Sequence, residues 1–177
     1  NSIFQNFNLI INKSDKVMIS GSSGSGKSTI AKYIKPKIQK YYGKTILFHG
    51  DEIRKIFNLN KYSKNDRKKI ALQYVKLCKK ITNENINVIL ATVSLYESVR
   101  KWNKKNFENY IEIYIECELK NIIKQKKKFF YKKKTNNVVG ISFKPELPKN
   151  PSIILPNNFT ISINELGGKL FKKIKNL

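Results

Sequence analysis

The run Gly21-Ser22-Ser23-Gly24-Ser25-Gly26-Lys27-Ser28 satisfies the spacing G-x-x-x-x-G-K-S/T at every defined position. Glycines at these places let the backbone wrap an anion closely, so successive amides and the start of the next helix face phosphate oxygens. The pattern points to a nucleoside triphosphate, with Gly21, Ser22, Ser23, Gly24, Ser25, Gly26, Lys27, Ser28 and Thr29 as the expected ATP contacts. Lys27 has the length and charge to reach the β- and γ-phosphates, and the Ser28 hydroxyl suits Mg2+. The chemistry expected is phosphoryl transfer from magnesium-bound ATP, with Lys27 as a catalytic cation.

Such a loop works only between a strand and a helix. Residues 17–20 form a short apolar run entering it, and residues 27–42 read as the helix leaving it. Residues 45–48, 88–92 and 111–115 are further buried-strand candidates, and residues 159–163 a fifth, ahead of a C-terminal helix. Within residues 63–82, Ile70, Tyr74, Leu77 and Ile81 recur at helical steps. Ser63 with Asp66 resembles a capping box, with Asp in place of the usual Glu or Gln. Residues 119–134 read as a lysine-rich helix or lid, inside a lid region of about 119–150, and the proline-rich stretch 145–156 as a loop. Residues 3–11 alternate like a short edge strand or hairpin arm. Strands alternating with helices imply an α/β fold of the P-loop NTPase, nucleotide kinase-like kind. Its three α/β/α layers would enclose a central, mainly parallel five-stranded sheet, preceded by a short N-terminal strand or hairpin. No repeat or linker divides the chain, so residues 1–177 are expected to form one domain.

The net charge is +24, yet only Arg54, Arg67 and Arg100 among the 36 basic residues are arginines. Lysine, asparagine and isoleucine share A/T-rich codons and are abundant together. The charge is therefore read as compositional drift in preference to a nucleic-acid surface, since electrostatics alone gives only non-specific binding. No aromatic-interleaved basic motif of the RRM or KH type occurs, so no specific nucleic acid is expected. Arginines that persist against such drift are candidates for planar, two-oxygen contacts that lysine cannot copy. No run reaches the length of a membrane span, and residues 1–8 lack the features of a secretory leader. Cys78 and Cys117 lack metal-ligand spacing and fit a reducing compartment, so a cytoplasmic protein is expected.

The surroundings of the loop look locally like the start of a transporter-type ATPase domain, but the Leu-Ser-Gly-Gly-Gln signature of that family does not occur. A fuller match begins further on. Phe48-His49-Gly50-Asp51-Glu52-Ile53-Arg54 resembles the L-D-G-D-x-x-R segment of adenylylsulfate kinases. Tyr62-Ser63-Lys64-Asn65-Asp66-Arg67 resembles their F-S-x-x-D-R, and Ala91-Thr92-Val93-Ser94-Leu95-Tyr96 their A-x-I-S-P-Y. Tyr131-Lys132-Lys133, Gly140-Ile141 and the prolines from Pro145 to Pro151 echo the lid and the P-x-N-P loop.

Members of that family transfer the γ-phosphoryl group of ATP to the ribose 3′-hydroxyl of a nucleotide carrying a sulfated phosphate. The resemblance implies that Asp51 orients the sugar hydroxyl, accepts its proton and helps hold magnesium through water. The alternative for Asp51 is a cap on the next helix. Arg54 and Arg67 match residues that grip the acceptor's phosphate, a role suited to a planar fork that binds two oxygens. Tyr62, Val93, Ser94, Lys128, Val138 and Ile141 fall at further acceptor-binding positions, with Lys128 one of the interchangeable run Lys126-Lys127-Lys128. His49 replaces the first aspartate of D-G-D; it either tunes Asp51 or is a hydrogen-bonded structural histidine.

Departures from the family pattern bear on the acceptor. Ile70 stands in place of an asparagine, Val138 in place of a phenylalanine that helps sandwich adenine, Gln125 in place of a lid arginine, and Leu95 in place of a proline. Stacking contributes ~1–3 kcal/mol per base, so losing one aromatic face disfavours a large purine. The pattern resembles most a variant of the family that phosphorylates the ribose of cytidine diphosphoramidate in making the phosphoramidate decoration of bacterial capsules. Adenylylsulfate is the alternative acceptor, and a non-catalytic P-loop binding protein a lower one. A homodimer is expected only because the resembling family often dimerises.

Overall fold

The computed structural model describes residues 16–93, 96–125 and 145–177. Strand β1 (Lys16–Gly21) holds the centre of the sheet because its apolar run is buried on both faces, with Met18 and Ile19 wholly inaccessible. It feeds the phosphate loop and then α1 (Lys27–Tyr42). Next come β2 (Thr45–His49), α2 (Gly50–Ile56), α3 (Lys64–Asn83), β3 (Asn87–Ala91) and α4 (Glu97–Asn106). The described chain closes with β4 (Tyr110–Glu116), α5 (Leu119–Lys124), β5 (Ile153–Pro156) and α6 (Ile163–Lys175). The strand order is β2-β3-β1-β4-β5, with every pair parallel.

Alternation along β3 divides the core. Ile89 and Ala91 join the layer under α1 and α6, while Val88 and Leu90 face α2, α3 and α4. The three-layer α/β/α arrangement expected from the sequence is therefore present. Ser63 caps α3 as its spacing implied: its Oγ accepts from the amide of Asp66 at 3.2 Å and donates to Asp66 Oδ2 at 2.6 Å. The reciprocal half of the box thus closes on the hydroxyl.

The fifth strand is not residues 159–163. It is Ile153–Pro156, inside the stretch read as a proline-rich loop. Ile113 pairs with Ile153 and Glu116 with Pro156, so the proline sits at the strand's last position, on the sheet edge, where no amide is needed. Phe159 has φ +65°, which no strand residue adopts, and Ser162 already caps α6 by accepting from the Glu165 amide. Two short helices, α2 and α4, are not among the segments read from the sequence as helices. The helix begun at Leu119 is described only to Lys124; the rest of the expected lid to residue 144, and the N-terminal arm at residues 3–11, lie outside the described residues.

Candidate functional site

At the carboxyl end of the sheet, β1 and α1 hold the phosphate loop by close backbone approach. Gly21, Gly24 and Gly26 have φ of +147°, +85° and +93°, and a Cβ on Gly21 would lie 2.7 Å from the Ile115 carbonyl oxygen. Lys27 is nearly buried, and its Nζ donates to the Ser22 carbonyl at 2.6 Å. That contact keeps the ammonium inside the loop.

The loop forms one wall of a cavity of about 270 Å³. Ser23, Gly24, Gly26, Lys27, Ser28 and Thr29 line that side; Gly21, Ser22 and Ser25 are not among the lining residues. Opposite stand His49 at the end of β2 and Asp51 in the first turn of α2. Asp51 is exposed to the cavity, and Glu52 shares its helical turn. Arg54, Arg67 and Val93, which the sequence places on the acceptor side, line the same space.

The arginines are held by backbone and by one ring. Arg54 Nη1 donates to the carbonyls of Leu59 (2.7 Å) and Lys61 (3.1 Å), and Arg67 Nε to that of Tyr62 (2.9 Å). Their guanidinium carbons lie 4.7 and 5.2 Å from the Tyr62 ring centroid. Tyr62 is not among the residues lining the cavity; its ring is engaged by the two cations. Burial, and then the neighbouring Arg54, push the Arg67 guanidinium below its ordinary value. Two cations so placed favour a site for anionic oxygen.

The remaining wall includes Ile70, which the sequence places where the family has an acceptor-contacting asparagine, beside residues not singled out as site residues. Ile70 and Ala71 of α3 are buried apolar lining, and Tyr74 donates from its hydroxyl to the Gly50 carbonyl at 3.2 Å. Burial, partly opposed by Arg54, pushes the Tyr74 phenol up to about 12, so it stays a neutral donor. Thr92, Tyr96 and Phe159 complete the lining. Helical periodicity marks Ile70 and Tyr74 as inward-facing; nothing in the local pattern marks Phe159. His49 is buried with Nδ1 lacking a hydrogen-bond partner among the described residues. Ser94, Lys128, Val138 and Ile141 lie outside the described residues.

A parallel sheet of this order, a phosphate loop after its central strand and a cationic cavity across from that loop together define a P-loop kinase. The family model for adenylylsulphate kinase matches residues 13–156. A cytidine diphosphoramidate kinase of Campylobacter jejuni is 30% identical over 162 residues, covering 89% of this chain and 95% of that protein. An adenylyl-sulfate kinase of Clostridium kluyveri is 30% identical over 148 residues, 80% of this chain and 74% of that one. Among solved structures, the Mycobacterium tuberculosis APS kinase CysC in complex with AMPPNP and APS superposes with a TM-score of 0.81 at 21% identity, over 93% of this chain and 99% of that one. The chain belongs to the adenylylsulphate kinase family. It is accordingly a phosphotransferase that acts on a hydroxyl group. No described helix is long and apolar enough to cross a membrane.

Proposed function

We propose that this kinase transfers the γ-phosphoryl group of ATP to the ribose 3′-hydroxyl of cytidine diphosphoramidate, in building the phosphoramidate decoration of a capsule. The observation that carries the reading is the shared cavity, lined by Lys27 and Ser28 together with Asp51, Arg54 and Arg67. Lys27 neutralises the β- and γ-phosphates. Asp51 orients the acceptor hydroxyl and takes its proton as the new P–O bond forms. Arg54 and Arg67 hold the acceptor's phosphate, and with it the distance between hydroxyl and γ-phosphorus.

The Ser28 hydroxyl and the Asp51 carboxylate are hard oxygen ligands on one cavity, so the residues present fit magnesium, Ser28 directly and Asp51 through water. The ion supplies charge neutralisation on the transferring group. We read residues 1–177 as one such domain, with about 119–150 as its lid and Ser94, Lys128, Val138 and Ile141 completing the acceptor side.

Two features support the cytidine acceptor. The buried side chain of Ile70 makes an apolar wall where a purine-binding kinase has an amide, and the relative sharing 30% identity over 89% of the chain acts on cytidine diphosphoramidate. Adenylylsulfate is the second reading, favoured by the equal identity to the Clostridium kluyveri enzyme. ADP release, followed with magnesium-ATP and each nucleotide in turn, separates the two. Faster turnover of cytidine diphosphoramidate is expected. Faster turnover of adenylylsulfate would transfer the assignment to it, and inactivity with both would remove both.

A further inference from the structure

The turn after β5 reaches back to the phosphate loop across 132 residues of sequence. Asn157 is buried there, and its amide and both side-chain polar atoms are engaged. Its side-chain Nδ2 donates to the Ser25 carbonyl at 2.9 Å. Its Oδ1 accepts from the Phe159 amide at 3.1 Å, and its own amide donates to the Glu116 carbonyl at 2.8 Å.

The first of these contacts fixes a direction. The C=O and N–H of a trans peptide point opposite ways. With the Ser25 carbonyl anchored on Asn157, the Gly26 N–H must point away from Asn157, and Gly26 lines the cavity. The contact is also tight, because a Cβ on Gly26 would fall 2.9 Å from Asn157 Nδ2. Loop amides bind phosphate only if their peptides are turned that way before the anion arrives. The second contact sets Phe159, held at φ +65°, as the adjoining part of the same wall.

We propose that Asn157 is a positioning residue for nucleotide binding: it presents the Gly26 amide to a phosphate oxygen and holds Phe159 against the same cavity. This rests on the nucleotide-binding reading above and adds a residue that no part of the phosphate-loop motif contains. The Ser25–Gly26 peptide, released from Asn157, gains freedom that must be lost again on binding. The effect therefore falls on affinity for the triphosphate side and not on the acceptor.

The test is calorimetric titration of the intact chain with magnesium-ADP, for the unaltered protein, Asn157→Ala and Asn157→Asp. Asn157→Ala should raise Kd about tenfold, the scale of one hydrogen bond's contribution. Asn157→Asp keeps the acceptor for the Phe159 amide but sets an oxygen against the Ser25 carbonyl, so it should bind at least as weakly. In turnover, KM for ATP should rise with the Kd while KM for the acceptor stays within about twofold; a general loosening of the fold would move both. The Gly26 amide resonance should shift in the nucleotide-free variants. Asn157→Asp, of almost the same volume, carries the test if Asn157→Ala does not fold. Kd values within twofold of the unaltered protein overturn the inference and leave the kinase reading intact. Failure of the unaltered protein to bind magnesium-ADP would instead remove the kinase reading, and the inference with it.

Discussion

Arg54 and Arg100 are both rare arginines in a lysine-dominated chain, and they are put to opposite uses. Arg100, 3% exposed, donates through Nη2 and Nε to Glu97 Oε2 at 2.6 and 3.1 Å, and its Nε lies 3.7 Å from the wholly buried Glu112. A further bond goes to the Leu147 carbonyl at 3.3 Å. Arg54 meets only carbonyls and the Tyr62 ring, with no carboxylate partner among the described residues. Where the charge is neutralised internally, the residue is part of the architecture. Where it is left without a carboxylate beside a cavity, as at half-buried Arg54, its charge is available to an anion from outside, the role proposed for it above. Buried charge otherwise costs too much to leave unpaired.

The sharpest way to test that contrast is on the cavity side. Asp51→Asn should cut phosphoryl transfer by ~10²–10⁴, the usual size of a general-base contribution, with ADP affinity and melting temperature little changed. Transfer surviving within tenfold would mean that Asp51 serves as a helix residue and not as the base.

On the architectural side, Arg100→Met should cost ~3–5 kcal/mol of stability by denaturant titration, because it strands a buried carboxylate. Pairing it with Glu112→Leu should restore most of that loss. The pH dependence has a definite sign. Burial, partly opposed by Arg100, raises the Glu112 carboxyl above its ordinary value. The stability linked to that raised value is present below the unfolded pKa and is lost as pH rises through the folded one. Removing Arg100 widens the shift, so the penalty of Arg100→Met should be larger at pH 7.5 than at pH 5. Glu97 works the other way: its hydrogen bond to Arg100 lowers its carboxyl, giving stability that is lost on acidification. Its exposure keeps that contribution small.

Arg67→Lys keeps the charge and loses the fork. It should raise acceptor KM about tenfold with ATP KM and stability unchanged, since hydrogen bonds to a charged group contribute about 1.5–3 kcal/mol. A fall in stability instead would place Arg67 with Arg100. The smallest effect belongs to Ser63→Ala, which removes the cap of the helix carrying Arg67 and should cost ~1 kcal/mol in a thermal melt.

The same contrast separates what could be read in the sequence from what could not. The phosphate loop is contiguous, and its glycines announce a backbone conformation that few other residues tolerate. Asp51, Arg54 and Arg67 fall in short segments whose neighbours fix their direction, so their meeting at one cavity was legible. The alternation Phe159, Ile161, Ile163 imitates a strand, yet the chain sets those half-buried residues in a turn and the start of α6, Ile161 and Ile163 packed on the core and Phe159 lining the cavity. The true edge strand was hidden by its flanking prolines, whose missing amides matter little at an edge. Tyr62 was expected as an aromatic face for the acceptor, but it does not line the cavity, and its engagement by two arginines was not legible. Asn157 carried no signal at all, because its role depends on a partner 132 residues away.

That long span has a consequence for how the protein is made. Synthesis runs from the phosphate loop toward Asn157, so the loop leaves the ribosome long before the turn that braces it. A nascent chain ending before β5 has all of the glycine motif but lacks the Asn157 contact to the Ser25 carbonyl. On the proposal for Asn157, a chain that has not yet added that turn should bind nucleotide about tenfold more weakly than the finished protein.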